Sequence, residues 1–275
     1  MKNLKYTVLA FLISIAAFAN ISNSEKEALI ALYNSTNGTE WNSTWDTSAA
    51  IDTWYGVKID NNQVVEINLP FNNLKGELPS EIANLQALKK LNLGFNGLTG
   101  NVPEFLAELQ NLETLELFMN KFEGEIPSAL GNLKNLKSLK LYSNMLSGDI
   151  PLSLMELTNL EELLIGSNYI TGSIPTEIQA LKKLKKFSVM DNKMDGEIPV
   201  EMAQLTELEE LLLSTNSFTG DVPIEFINLT KLNTIMVSDN KLNKEYISVS
   251  GKNPPTLMLI ESGANATAVM DIEKE

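Results

Sequence analysis

Leucine and other apolar residues recur with a fixed period of 24 residues over most of the chain. Within one period, Leu91 and Leu93 alternate with polar neighbours, a pattern that predicts a short strand with one buried face. Strands repeated at this interval lie side by side as a parallel sheet, so the pattern indicates a stacked-repeat solenoid. The two apolar columns are Ile67, Leu91, Leu115, Leu139, Leu163, Phe187, Leu211 and Ile235, and Leu69, Leu93, Leu117, Leu141, Ile165, Val189, Leu213 and Val237.

An asparagine follows each predicted strand at the point where the chain must bend. Its side-chain amide carries both donors and an acceptor. We therefore expect it to satisfy buried backbone groups of the turn and of the next coil, which makes a ladder through the stack. The predicted ladder is Asn72, Asn96, Asn120, Asn144, Asn168, Asn192, Asn216 and Asn240.

A glycine and a proline follow each asparagine except the last at fixed distances, as Gly100 and Pro103 follow Asn96. Glycine tolerates a positive φ, whereas proline fixes φ and lacks an amide donor. The return path of each coil is therefore expected to be short and irregular rather than a regular helix.

The full pattern, L-x-x-L-x-L-x-x-N-x-L-x-G-x-I-P, resembles the plant-type subclass of the leucine-rich repeat family over roughly residues 64–243. The resemblance implies an α/β fold: a right-handed solenoid of about eight coils, with a concave parallel sheet and short 3-10 segments on the convex side. The segment Trp54-Tyr55-Gly56-Val57 is similar to the cap of plant receptors, in which cysteines flank this core. Asp52 and Ile59 stand at those positions, which favours a cysteine-free, bacterial-like relative whose cap is held by packing alone.

The first nineteen residues predict a secretory signal peptide. Lys2 and Lys5 precede an apolar run that is too short to span a bilayer, and an A-x-A site places the cleavage after Ala19. We therefore expect a secreted protein, or one exposed at the cell surface or in a periplasm, with no transmembrane span.

Residues 20–63 are interpreted as an N-terminal cap. Apolar residues at helical spacing predict a helix after Ser24, which would act as its N-cap. Trp41, Trp45 and Trp54 are expected to cover the open end of the leucine core, and the alternative is a platform for a sugar. Residues 244–275 are interpreted as a C-terminal cap with three short strands, at 246–250, 256–260 and 266–272.

The composition excludes several kinds of chemistry. The chain contains no cysteine, no histidine and no arginine, and its formal charge is −14. A zinc site or a histidine-based triad has no residues to use, and nucleic acid is an unfavourable partner for so acidic a chain. No pocket of paired carboxylates is visible in the pattern, so we expect neither an enzyme nor a bound cofactor.

Charged residues also follow the repeat. The column Lys89, Glu113, Lys137, Glu161, Lys185, Glu209 alternates in sign, so each lysine is expected between two glutamates. A second, mostly acidic stripe runs Glu77, Asn101, Glu125, Asp149, Ser173, Glu197, Asp221. We interpret it as a solvated edge, with a calcium site as the alternative.

The concave columns provide the candidate binding residues. Four of them, in coils two to four, form a predicted apolar patch: Phe95, Phe118, Met119 and Tyr142. The other four are Glu116, Lys140, Leu164 and Met190. They predict recognition of a protein, peptide or glycan, unless the rings simply pack flat on their neighbours. A structural envelope or adhesion component and an ice-binding solenoid are the alternatives.

Overall fold

A computed structural model describes residues 21–247, 258–260 and 267–269. Across these residues the chain forms one α-helix, a stack of coils with a long sheet on one side, and short 3-10 helices on the other. The strands of the stack are β1 (Val57–Asp60), β2 (Gln63–Asn68), β3 (Lys75–Gly76), β4 (Lys90–Asn92), β5 (Gly97–Leu98), β6 (Thr114–Glu116), β7 (Glu123–Glu125), β8 (Ser138–Lys140), β9 (Met145–Asp149), β10 (Glu162–Leu164), β11 (Tyr169–Thr171), β12 (Lys186–Ser188), β13 (Glu210–Leu212) and β14 (Thr234–Met236).

The main sheet has the strand order β1-β2-β4-β6-β8-β10-β12-β13-β14. Only β1 is antiparallel, and the other strands pair in parallel with equivalent residues opposite each other, as Leu91 pairs with Leu115. Both apolar columns of the repeat are buried beneath this sheet. The solenoid predicted from the 24-residue period is therefore the observed fold.

The return path of each coil is more regular than the sequence indicated. Part of it forms two small parallel sheets on the flank, β11-β9-β7 and β3-β5. After the proline of each repeat, a five-residue 3-10 helix turns apolar side chains inward, as Ile82 does. These helices span Ser80–Asn84, Glu104–Glu108, Ser128–Asn132, Leu152–Glu156, Thr176–Ala180, Val200–Gln204 and Ile224–Asn228.

The asparagine ladder reaches backward along the chain. The Asn144 Oδ1 accepts from the backbone amide of Phe122 at 3.1 Å, and its Nδ2 donates to the carbonyl of Leu117 at 3.1 Å. Both partners belong to the preceding coil, not to the next coil that the sequence analysis expected. The Nδ2 also donates to the carbonyl of Leu141 in its own turn at 2.9 Å. The amide thus joins two adjacent coils through their backbones alone.

The first rung of the ladder is made with the cap. The Oδ1 of Asn72 accepts from the backbone amide of Ser43 at 2.6 Å, and its Nδ2 donates to the Ser43 carbonyl at 3.4 Å. The cap therefore presents backbone groups where a preceding coil would present its own.

The cap begins with helix α1 (Asn23–Ser35), and Ser22 rather than Ser24 is its N-cap. Both serines start an S-x-x-E sequence, so the pattern alone did not distinguish them. Ser22 is selected because Glu25, its capping-box partner, is buried and also accepts from the backbone amide of Val64 in β2 at 2.9 Å. One carboxylate thus caps the helix and attaches it to the first coil.

The three tryptophans lie inside the cap. Trp41, Trp45 and Trp54 are each at most 4% exposed and belong to the same core as the leucines. The Trp45 and Trp54 rings stack with centroids 4.7 Å apart, and Trp41 meets Trp45 edge to face at 4.8 Å. The alternative of a tryptophan sugar platform is wrong, because no ring face is available to a ligand. Two short 3-10 helices, Gly38–Glu40 and Ile51–Thr53, complete the cap.

Near the C-terminus, β15 (Glu245–Ile247), β16 (Met258–Ile260) and β17 (Thr267–Val269) form an antiparallel sheet. Each overlaps one of the three strands that the sequence suggested for the C-terminal cap. The signal peptide assigned to residues 1–19 lies outside the described residues.

Candidate functional site on the concave face

A group of apolar side chains covers one end of the concave sheet. We call it the aromatic patch and define it as Phe71, Phe95, Phe118, Met119 and Tyr142. The Phe118 and Tyr142 rings stack with centroids 4.8 Å apart and planes at 10°, and Phe71 and Phe95 stack at 3.9 Å. Phe71 was absent from the predicted set, although it stands in the same column as Phe95 and Met119.

Glycine makes room for one of these stacks. A Cβ atom added to Gly94 would lie 2.4 Å from the ring of Phe118, so that ring rests directly over the backbone of the preceding coil. One face of Phe118 is thereby covered by Gly94 and the other by Tyr142. The predicted alternative, that the rings pack flat on their neighbours, is thus partly correct for Phe118 and Tyr142.

The rest of the patch is well exposed to solvent. Phe71, Phe95 and Met119 are 59%, 42% and 41% exposed. All three have a positive φ, near 55°, which bulky residues rarely adopt. The fold places a positive φ before every ladder asparagine, but the later coils use serine, threonine or aspartate there: Ser143, Ser167, Asp191, Thr215 and Asp239. The turn therefore does not require apolar residues, and their presence in the first three coils needs another reason.

A band of alternating charges crosses the concave sheet beside the patch. The Lys140 ammonium lies 3.0 Å from carboxylate oxygens of both Glu116 and Glu162. Lys186 continues the band, at 3.7 Å from Glu162 and 3.6 Å from Glu210. Of the predicted site residues, Glu116 and Lys140 are thus brought together, and their charges are mutually compensated.

The pKa values of this band reflect the competition between burial and pairing. Burial lowers the pKa of Lys140, but its hydrogen bonds with Glu116 and Glu162 outweigh this and raise it. Burial likewise raises the pKa of Glu162, and the hydrogen bonds from Lys140 and Ser138 reverse that effect. Burial raises the pKa of the Tyr142 hydroxyl. All three groups keep their neutral-pH charge states, so each carboxylate of the band faces a charged lysine.

Lys140→Met is expected to lower the free energy of unfolding by about 1 to 2 kcal/mol at neutral pH, because Glu116 and Glu162 lose their cation in a half-buried place. The lowered pKa of Glu162 means that its stabilisation is present above about pH 4 and is lost as the pH falls through the folded value. The raised pKa of Lys140 means that its stabilisation is present below about pH 10 and is lost as the pH rises through the folded value.

Urea unfolding of both proteins across this pH range measures the effect. The difference between them should be largest near neutrality and should shrink below about pH 4. Lys137→Met is the matched control, because its pair with Glu113 is more exposed, and it should lose much less stability. Equal losses of stability in the two variants would show that the half-buried position of Lys140 between two glutamates does not strengthen its ion pairs.

The remaining predicted residues lie in the second half of the sheet. Leu164 and Met190 are half-buried, and Met190 leans over Gly166, where an added Cβ would meet its Cγ at 3.2 Å. Leu212 and Met236, which the sequence analysis did not select, are half-buried in the same columns. They form a separate apolar area, and the structure does not bring them into the aromatic patch.

The outer charge columns serve the stack. Lys137 and Lys185 each pair with a glutamate of the preceding coil at 2.6 Å, and the glutamate of the following coil attracts each of them from beyond ion-pair distance. In the acidic stripe, side chains lie beside the glycine of the following coil, as Glu125 does below Gly148. Within the described part of the chain, no group of three Asp or Glu residues lies close enough to hold a metal ion.

Comparison with known proteins agrees with this architecture. The family model described as Leucine Rich Repeat matches residues 87–109, 111–133, 135–157 and 159–181. A probable leucine-rich repeat receptor-like protein kinase of Arabidopsis thaliana is 37% identical over 92 residues, which are 32% of this chain and 9% of that protein. The chain carries leucine-rich repeats of the plant type.

Among solved structures, the PEPR1–AtPEP1 complex matches with a TM-score of 0.74 and 32% identity over 80% of this chain and 32% of the other. The plant peptide hormone receptor RGFR1 in complex with RGF2 matches with a TM-score of 0.61 and 35% identity over 62% and 27%. The chain thus spans about a third or less of these receptors. A plant ice-binding protein, 24% identical with a TM-score of 0.65 over 81% of this chain and 88% of that one, shares the fold.

The structure contains no helix, among the residues that it describes, with the length and apolar character needed to cross a membrane.

Proposed function

We propose that this chain is a non-catalytic recognition module that binds a peptide or a segment of a protein on its concave face. The observation that carries the proposal is the aromatic patch. The residues with positive φ that precede the ladder asparagines are apolar only in the first three coils, where they are exposed. The turn does not require them to be apolar. Exposed apolar clusters of this kind mark binding surfaces, since they are unfavourable in water without a partner.

The geometry of the rings favours apolar side chains over a sugar. A sugar stacks on the flat face of an aromatic ring, but both faces of Phe118 are covered, and Phe71 and Phe95 cover one face of each other. Stacking therefore leaves fewer free ring faces than the number of rings would suggest, and the patch also presents ring edges and the flexible side chain of Met119. Such a surface suits leucine-like or aromatic side chains of a peptide.

The similar receptors support this proposal. RGFR1 is a peptide hormone receptor solved with its ligand RGF2, and the matching stretch of RGFR1 covers 62% of this chain. Those receptors are much longer, so their other activities can belong to parts that this chain does not match. Recognition outside the cell is the part of their biology that the shared repeats can carry.

Export is part of the same proposal. Residues 1–19 are proposed as the signal peptide, so material recovered outside the cell should begin at Asn20. Edman sequencing or mass spectrometry of the exported protein tests this, and a mature protein that begins at Met1 would refute it.

The function is tested by selecting ligands from a library of displayed random peptides on the mature protein. Peptides that bind should lose about 2 kcal/mol or more of binding free energy when Phe118→Ala and Tyr142→Ala are combined, as expected for a hot spot. The thermal midpoint should change little, because buried leucines rather than these half-exposed rings hold the stack. Isothermal calorimetry and thermal unfolding give the two measurements.

Tyr169→Ala is the matched control, because Tyr169 is an exposed aromatic residue on the flank, outside the patch. It should leave binding unchanged. If the double variant binds as the wild type does, the site lies elsewhere, for example at Lys182–Lys186. If no peptide is selected at all, a structural envelope or adhesion role gains support. A collapse of the double variant would show that the rings are structural.

A further inference from the structure

A second apolar surface lies on the opposite side of the solenoid, and it begins in the fourth coil, the last coil that the aromatic patch reaches. We call it the convex ridge and define it as Leu152, Thr176, Val200 and Ile224. These residues are the first of four consecutive 3-10 helices, which contact one another in order. Leu152, Val200 and Ile224 are 60%, 45% and 79% exposed, which are among the highest values for large apolar residues in the described chain.

The earlier coils show that this position does not need an apolar residue. The equivalent first residues of the three preceding 3-10 helices are Ser80, Glu104 and Ser128. The backbone is the same in both groups, since each of these helices follows a proline and spans five residues. The appearance of apolar residues at three of the last four positions, with Thr176 between them, therefore concerns the surface and not the fold.

Carboxylates line both sides of the convex ridge. On one side stand the second residues of the last three helices, which are Glu177, Glu201 and Glu225. On the other side along the chain, three residues before Leu152, Val200 and Ile224, stand Asp149, Glu197 and Asp221. Within the described residues, the only ion pair of these six is the one between Asp221 and Lys244, at 3.9 Å. The segments 173–177, 197–201 and 221–225 contain no lysine.

This arrangement differs from the concave charge band, where every carboxylate has a lysine. A glutamate in the first turn of a helix gains a little from the helix dipole, which accounts for a single such residue in a short helix. It does not account for an exposed apolar row between two acidic rows. Uncompensated carboxylates beside an apolar row match a partner that carries positive charges and apolar side chains together.

We propose that the convex ridge is a second interaction surface, which binds a protein segment of alternating basic and apolar residues. Strands advance about 4.8 Å per coil, so the four positions span at least about 14 Å, or about four to five residues of an extended chain. An anionic membrane is not the partner, because six carboxylates repel it. A second copy of this chain supplies poor complementarity, since Lys185 and Lys186 of its lysine-rich segment already pair with its own glutamates, and Lys182 and Lys183 already bond to Gln204 and Asn159.

The test uses the mature protein and a ten-residue probe peptide of alternating lysine and leucine. Calorimetry or fluorescence anisotropy at low salt measures its affinity, with a glutamate–leucine and a lysine–serine peptide as controls. Two ridge variants are compared with the wild type. One is L152S/V200S/I224S, which restores the serine of earlier coils, and the other is E177Q/E201Q/E225Q. Each ridge variant should bind the probe at least about tenfold more weakly.

E77Q/E81Q/E104Q is the control, because it removes the same charge from the first two coils, where the row is polar: Glu77 belongs to the acidic stripe, Glu81 is the second residue of its 3-10 helix, and Glu104 is a first residue. It should bind within about twofold of the wild type, and all variants should keep the wild-type thermal midpoint, since the altered residues are at the surface. Equal weakening by the control would show attraction to net charge alone and would overturn the proposal. So would unchanged binding by both ridge variants. A wild-type dimer in sedimentation that L152S/V200S/I224S dissociates would assign the ridge to a second copy instead.

Discussion

Asn144→Ala is expected to lower the free energy of unfolding by about 2 to 3 kcal/mol, because it leaves the buried amide of Phe122 without a partner and leaves the carbonyls of Leu117 and Leu141 with one amide donor each, from Asn120 and Asn168. The lost bonds are those from the Phe122 amide and to the carbonyls of Leu117 and Leu141, all at 3.1 Å or less. Asn144 is only 8% exposed, so water cannot replace the amide without opening the stack. Urea unfolding followed by circular dichroism measures the loss.

Asn135→Ala is the control for this effect. Asn135 belongs to a shorter, exposed row with Asn111 and Asn159, and its Nδ2 makes one bond to the carbonyl of Gln110 in the preceding coil, at 2.9 Å. Because that carbonyl can turn to water, the loss should be about 0.5 to 1 kcal/mol. Similar losses for Asn144 and Asn135 would mean that burial does not distinguish the two rows.

Gly56→Ala is expected to destabilise the junction between cap and first coil by about 3 kcal/mol or more. Gly56 has φ of +75°, and an added Cβ would lie 2.2 Å from the carbonyl oxygen of Asn68 and 2.8 Å from a methyl group of Leu69. The same glycine accepts a hydrogen bond from the Asn68 amide at 2.7 Å, so the two backbones cannot separate without losing it. Hydrogen exchange should show the cap opening before the later coils.

Gly97→Ala is the matched substitution, in the neighbouring coil. Gly97 does not have a positive φ in the left-handed region, and its added Cβ would meet the Leu74 carbonyl oxygen at 3.2 Å. Its effect should stay within about 1 kcal/mol, because the lower entropy of the unfolded chain offsets mild crowding. If Gly56→Ala were equally mild, the close approach of cap and strand would be irrelevant to stability.

The fold could be predicted from the sequence because every coil repeats the same physical problem. Leu91 and Leu93 must be buried, and Asn96 must bond the buried backbone groups of the turn. Pro103 lacks an amide donor and directs the chain into the return path. The period alone therefore determines the architecture. The direction of the ladder could not be read in this way. A side-chain amide has the same donors and acceptor toward either neighbouring coil, and only the backbone path decides which carbonyl lies within reach.

The surfaces were predicted less completely. Phe95, Phe118, Met119 and Tyr142 were recognised because aromatic residues in a concave column are conspicuous. The positive φ before each asparagine could not be predicted, since phenylalanine, the residue type at positions 71 and 95, seldom adopts it. The convex ridge could not be predicted, because the first residue of the 3-10 helix differs in type from coil to coil. Only exposure in the folded chain shows that Leu152, Val200 and Ile224 do not belong to the core.

The contact between Asn72 and Ser43 bears on how such chains change length. The cap offers the first asparagine a backbone amide and a backbone carbonyl, at 2.6 and 3.4 Å, and no specific side chain. Because any coil supplies an asparagine at the same place, this contact does not depend on which coil comes first. Duplication or loss of a whole 24-residue unit would therefore leave this contact intact, whereas a gain or loss of any other length would break it. The 24-residue repeat is in this sense the unit by which such a chain can be lengthened or shortened, as well as its structural unit.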